Sequence, residues 1–148
     1  LNNPIIAVAR PEHPLAGQPG LSLKELETQV LLQREQGSGT RKACDEFLQQ
    51  QRVHPQQLLQ LGSSEALLHG ALAGLGVALL TEHAAAPWLR SGELVRLGFA
   101  ELPLYRSWCA VHARGKRLSP VAQAFLAWLR EEREQIRRIA APFTPPAR

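Results

Sequence analysis

Short apolar runs alternate along this chain with stretches whose apolar residues recur every three or four positions. Residues 4–9 are such a run, stopped by Arg10-Pro11, and predict a buried strand. A connection rich in proline and glycine follows from Pro11 to Gly20. Ser22, with Glu25 three residues on, is a capping-box pattern and predicts a short helix. Val30-Leu31-Leu32 reads as a second strand running into the turn Arg34-Glu35-Gln36-Gly37-Ser38-Gly39-Thr40-Arg41. Beyond it, Ala43, Phe47 and Gln51 share one side of a helix, with Cys44 and Leu48 beside them and Pro55 as its stop.

The pattern then repeats. Leu58 to Leu61 predicts a third strand, and Gly62-Ser63-Ser64-Glu65 opens a helix with Leu68, Ala71, Leu72 and Leu75 on one face. Val77 to Leu80 predicts a fourth strand, Leu94 to Leu97 a short one, and Tyr105 to His112 a longer one. Ser119-Pro120 is an N-cap with proline at the first helical position. Its helix carries Val121, Phe125, Trp128, Leu129 and Ile136 to about residue 139, and Pro142, Pro145 and Pro146 mark residues 140–148 as a tail. Strands alternating with helices predict an α/β fold, a sheet flanked by helices.

Composition narrows the class. With 148 residues, 45% of them hydrophobic and 20% charged, the chain is one globular unit long enough to bury a core. Its apolar runs fall short of the roughly 20 residues that span a bilayer, so no membrane partner is expected. Cys44 and Cys109 have no metal or redox spacing, which fits a reducing, cytoplasmic setting. His13, His54, His69, His83 and His112 show no ligand spacing, and neither a metal nor another cofactor is expected. Methionine is absent and the apolar pattern begins at once, which reads as a chain starting inside a domain. The net charge of +4 is uneven: residues 1–104 carry −2 and residues 105–148 carry +6. The basic residues are interleaved with Glu131, Glu132 and Glu134, so they predict a solvated helix face, not a nucleic-acid surface.

Candidate chemistry gathers at two turns. Gly37-Ser38-Gly39-Thr40 lies between a strand and a helix, where unpaired N–H groups and the positive dipole end attract anions. The same residues also suit an ordinary glycine turn with a hydroxyl cap. Ser63, Ser64 and Glu65 open the next helix in the same way. In an open α/β sheet such turns collect at the carboxyl ends of the strands, so the two would share one polar rim. Catalytic readings are weaker. Cys44 falls on an apolar helix side and reads as buried, the Gly-Ser-Gly-Thr turn lacks a nucleophile-elbow frame, and Asp45-Glu46 reads as a solvated face.

Four stretches carry a family resemblance in order: Ala9 to Ala16, Arg34 to Arg41, Leu61 to Ala66 leading into Ala73 to Ala78, and Leu118 to Leu126. Together they resemble the effector-binding domain of LysR-type transcriptional regulators, and within it the regulators of carbon-fixation and sulfur-assimilation operons. The resemblance covers residues 4–130 and implies a type-2 periplasmic-binding-protein-like fold, with one complete α/β subdomain plus the returning part of a second. Residues 12–100 would be the complete second subdomain, and residues 1–11 and 101–139 part of the first. It further implies a non-enzymatic sensor of a small, often anionic effector, bound at Gly37, Ser38, Gly39, Thr40, Ser63, Ser64 and Glu65. The protein would be a homo-oligomer that contacts DNA only through an N-terminal helix-turn-helix domain outside this chain. Two positions depart from the subgroup: Gln36 stands where proline is usual, and Leu68 where a lysine is common, which removes a cation from the expected anion site.

Two other functions use the same fold: a periplasmic-type solute receptor of a transport system, and a dehydratase-like enzyme. Fold alone does not separate them. The matches around His13-Pro14-Leu15-Ala16 and in the C-terminal helix favour the regulator. On that reading the strands at 5–9 and 105–112 and the helix from 119 lack their sheet neighbours, leaving Leu1–Ala9, Trp108, Phe125 and Trp128 to be covered by another copy or another segment.

Overall fold

A computed structural model describes residues 2–139; Leu1 and the tail at 140–148 lie outside the described residues. Six strands form one sheet: β1 (Asn2–Ala9), β2 (Val30–Arg34), β3 (Gln57–Leu61), β4 (Val77–Thr81), β5 (Val95–Arg96) and β6 (Leu104–Ser107). The helices are α1 (Gly39–Gln50), α2 (Ser64–Leu72), α3 (Glu82–Ser91), α4 (Pro120–Glu131) and α5 (Arg133–Ile139), with a 3₁₀ helix at Leu23–Thr28. That 3₁₀ helix carries the capping box expected from Ser22 and Glu25.

The strand order is β3-β2-β4-β1-β5, and β6 also pairs with β1. β2 is parallel to both β3 and β4, whereas β1 is antiparallel to β4, β5 and β6. Alternation along the strands sorts the core into two layers. Ile5, Ala7, Ala9, Leu31, Val77 and Leu79 pack with Ala43, Cys44 and Leu48 of α1 on one face. Ile6, Val8, Leu32, Ala78 and Leu80 pack with Leu67, Leu68 and Ala71 of α2 and Ala85 of α3 on the other. Gly76, at positive φ, lies so close to the Val30 carbonyl that a side chain there would collide with it.

Several expectations change. The strand at 5–9 does not wait for a neighbour: the chain's own β4, β5 and β6 flank it, and Ile5 to Ala9 are buried. Antiparallel pairing lets a strand from before the α/β run close the sheet, which parallel alternation alone does not reveal. β1 precedes the 12–100 stretch in sequence and is an interior strand of this sheet. β3 is an edge strand, with Leu58 54% and Leu59 37% exposed, so it is not core. Leu75 is likewise exposed, beyond the end of α2. The strand expected over 105–112 is only β6, and the last helix breaks at Glu132 into α4 and α5.

Helix α3 has no counterpart among the elements that the sequence pattern predicts. Pro87 inside it removes a backbone donor and interrupts the helical pattern, yet it lies on the exposed side. Ala85 packs into the core, Gly92 at φ +79° ends the helix, and the buried Glu82 meets Arg96 of β5 at 3.5 Å. Among the described residues, none of α4 or α5 is buried.

Candidate functional site

β2 leads into α1 on one face of the sheet, while the adjacent parallel strand β4 leads into α3 on the other. Crevices open at the carboxyl ends of strands whose connections diverge in this way. A cavity of about 610 Å³ lies at that edge. Asn3 and Ile5 of β1 line it, with Arg34 and Glu35 at the end of β2, Gly37 to Thr40 in the turn, Ala43 of α1, and Arg106, Ser107 and Trp108 at the end of β6.

The turn is braced from several sides. Gly37 takes φ +92°, a conformation that favours glycine. Ser38 is the N-cap of α1, its Oγ accepting from the Arg41 backbone N–H at 3.4 Å. The Arg41 guanidinium reaches back, with Nη1 donating to the Arg34 carbonyl at 3.0 Å and Nε to Asp45 Oδ2 at 2.7 Å. The first N–H groups of α1, at Gly39 and Thr40, have no helical carbonyl to bond and sit in the cavity wall beside two hydroxyls.

Arg34 joins the two turns. Its Nε and Nη2 each donate to a Glu35 carboxylate oxygen at 2.8 Å, and Nη1 donates to Ser64 Oγ at the start of α2 at 2.9 Å. The Arg34 hydrogen bonds hold the Glu35 carboxyl at a pKa of about 2, helped by a hydrogen bond from its own backbone. Glu35 is thus ionised throughout the neutral range and occupies Arg34 as a charge partner.

Gly37, Ser38, Gly39 and Thr40 come together in the cavity wall. Ser63, Ser64 and Glu65 stand at the same sheet edge but do not line the cavity. Ser63 caps α2 by accepting from the Ala66 N–H at 3.0 Å, Ser64 accepts from Arg34, and Glu65 is exposed. Sequence reasoning missed Asn3, Arg106, Ser107 and Trp108 as wall residues. Asn3 precedes the apolar run at residues 4–9, and only the pairing of β1 with β6 brings Arg106 opposite it. Cys44 is on the buried face of α1, and burial pushes its thiol up to about 12, the wrong direction for a nucleophile.

Among the described residues no cluster of His, Cys, Asp and Glu could hold a metal ion, and no helix is long and apolar enough to cross a membrane. The wall carries hydroxyls, helix N–H groups and Arg106 beside the Arg34–Glu35 pair, a lining whose donors can hold a small anion.

Comparison with known proteins agrees with this architecture. The LysR substrate binding domain family matches residues 1–134. The HTH-type transcriptional regulator CfxR of Cupriavidus necator is 37% identical over 129 residues, 87% of this chain and 41% of that protein. A RuBisCO operon transcriptional regulator of Allochromatium vinosum is 36% identical over 132 residues, 89% of this chain and 44% of that protein. The chain thus spans less than half the length of these curated relatives. The CcmR regulatory domain of Synechocystis PCC6803, solved in complex with 2-PG, superposes with a TM-score of 0.80 at 35% identity, covering 87% of this chain and 62% of that one. These relatives are transcription regulators, not enzymes, and they do not favour a solute receptor of a transport system. The fold is accordingly the type-2 periplasmic-binding-protein-like α/β fold of such regulatory domains, and this chain belongs to the LysR substrate-binding domain family.

Proposed function

We propose that this chain is the effector-sensing part of a cytoplasmic, homo-oligomeric LysR-type regulator of a carbon-fixation operon, whose DNA contacts lie outside these 148 residues. The observation that carries the reading is the cavity at the carboxyl end of β2, walled by a braced Gly37-Ser38-Gly39-Thr40 turn. The effector is a small anion held by the Gly39 and Thr40 N–H groups and the Ser38 and Thr40 hydroxyls. Ser63, Ser64 and Glu65 form the rim at the start of α2, with Ser64 acting through Arg34. Residues 12–100 make the second subdomain, and residues 1–11 and 101–139 belong to the first. The uncovered faces of α4 and α5 support that division.

The neighbour that holds 2-PG supplies the first ligand to try. In calorimetric titrations of the chain with 2-PG and with inorganic phosphate, Thr40→Val should weaken binding about tenfold, the cost of one charge-assisted hydrogen bond. The thermal transition should stay in place, because Thr40 is only half-buried and is not the cap. Equal affinity in the variant and the parent would reduce the turn to a structural cap.

A further inference from the structure

The cavity has a second polar group that the anion-holding turn does not use. Asn3 on β1 is 9% exposed and lines the cavity, and its Oδ1 is buried with no hydrogen-bond partner among the described residues. Arg106 of β6 is its register partner across the sheet, as Leu104 is for Ile5, so Asn3 and Arg106 share a face. Arg106 is exposed and forms no ion pair among the described residues, in contrast to Arg34, which Glu35 occupies.

A buried amide oxygen without a donor is costly, and such atoms in native proteins usually meet a ligand or water. A carboxylate on the ligand would satisfy Arg106 but leave Oδ1 unpaired, because it has no proton to give. An alkyl group would satisfy neither. A hydroxyl satisfies both, donating to Asn3 Oδ1 while accepting from the Arg106 guanidinium.

We propose that Asn3 and Arg106 form a specificity subsite that selects effectors carrying a free hydroxyl besides the anionic group. This rests on the reading that the Gly37 to Thr40 turn holds the anion. The effector class is then a small hydroxylated phosphate or comparable acid, anchored at the start of α1 and read at its other end by β1 and β6.

The test compares sn-glycerol 3-phosphate with n-propyl phosphate, which share a phosphate and a three-carbon chain and differ in the hydroxyls. By calorimetry on the chain, glycerol 3-phosphate should bind about tenfold tighter than propyl phosphate. Asn3→Ala should erase that preference while leaving propyl phosphate affinity unchanged, whereas Thr40→Val should weaken both ligands alike. Arg106→Gln, at an exposed position that folding does not depend on, should reduce the preference in the same direction. Equal binding of the two esters by the parent chain, or an undiminished preference in Arg106→Gln and Asn3→Ala, overturns the subsite and leaves the anion site standing. Binding of neither ester overturns the anion site and the subsite together.

Discussion

Cys44 and Glu35 show how far burial and neighbours decide what a residue can do. Cys44 lies one helical turn inside α1, where an exposed thiol would be activated, but its side chain packs among Leu31, Leu48 and Val53. Desolvation, reinforced by Asp45, raises its pKa to about 12. The native chain should therefore yield at most one thiol to a disulfide-exchange reagent at pH 8, from the exposed Cys109, and two once denatured. The folded state keeps the Cys44 proton to about pH 12 while the unfolded thiol loses it near its ordinary value of 9.0, so this residue erodes stability as pH rises between those limits. Two reactive thiols in the native chain at pH 8 would contradict the packing of α1. Glu35 runs the other way. Its carboxylate is favoured by Arg34, and that contribution fades as pH falls from 4.5 towards 2.

Among the elements, the two serine-capped helix starts look alike and act differently. Ser38 caps α1 at the cavity, whereas Ser63 caps α2 away from the cavity wall. Ser63→Ala should lower unfolding free energy by about 1 kcal/mol, the usual value of an N-cap, as read from urea melts. Phosphate affinity should change little. If Ser63→Ala weakened phosphate as strongly as Thr40→Val, the ligand would reach across to α2, and the rim would be part of the contact surface. Both helix starts were legible because capping is local: a hydroxyl immediately before the helix, three residues from the N–H it caps, is visible in the sequence. Their different roles were not, because they depend on which strand stands at the divergence of the sheet. β2 is next to β4 there, while β3 is at the edge.

The whole molecule is divided between a well-packed sheet and a poorly covered C-terminal segment. Residues of β1, β2 and β4 fill both core layers, but α4 leaves Val121 79%, Phe125 56% and Trp128 49% exposed. Contiguous apolar surface of this kind associates in water. Light scattering on the chain at micromolar concentration should give a mass above the 16.3 kDa of one copy. The double change Phe125→Glu with Trp128→Glu should restore the single-copy mass without altering the melting of the sheet. A clean monomer of the parent chain would show that α4 and α5 fold back in solution and cover their own apolar stripe.

By itself the sequence determined the order of strands, turns and helices from 22 to 80, the family, and the Gly37 to Thr40 turn. Each of these is written in short-range pattern: runs of apolar residues, capping hydroxyls, and glycine where the backbone needs positive φ. Tertiary structure decided what depends on partners distant in the chain. It set β1 antiparallel in the middle of the sheet, left β3 at the edge, and let α3 form through Pro87 because Ala85 and its neighbours pack on β1 and β4. It also brought Asn3 opposite Arg106. Register between strands from opposite ends of a chain is chosen by the packing of both faces at once, so no local window of sequence contains it.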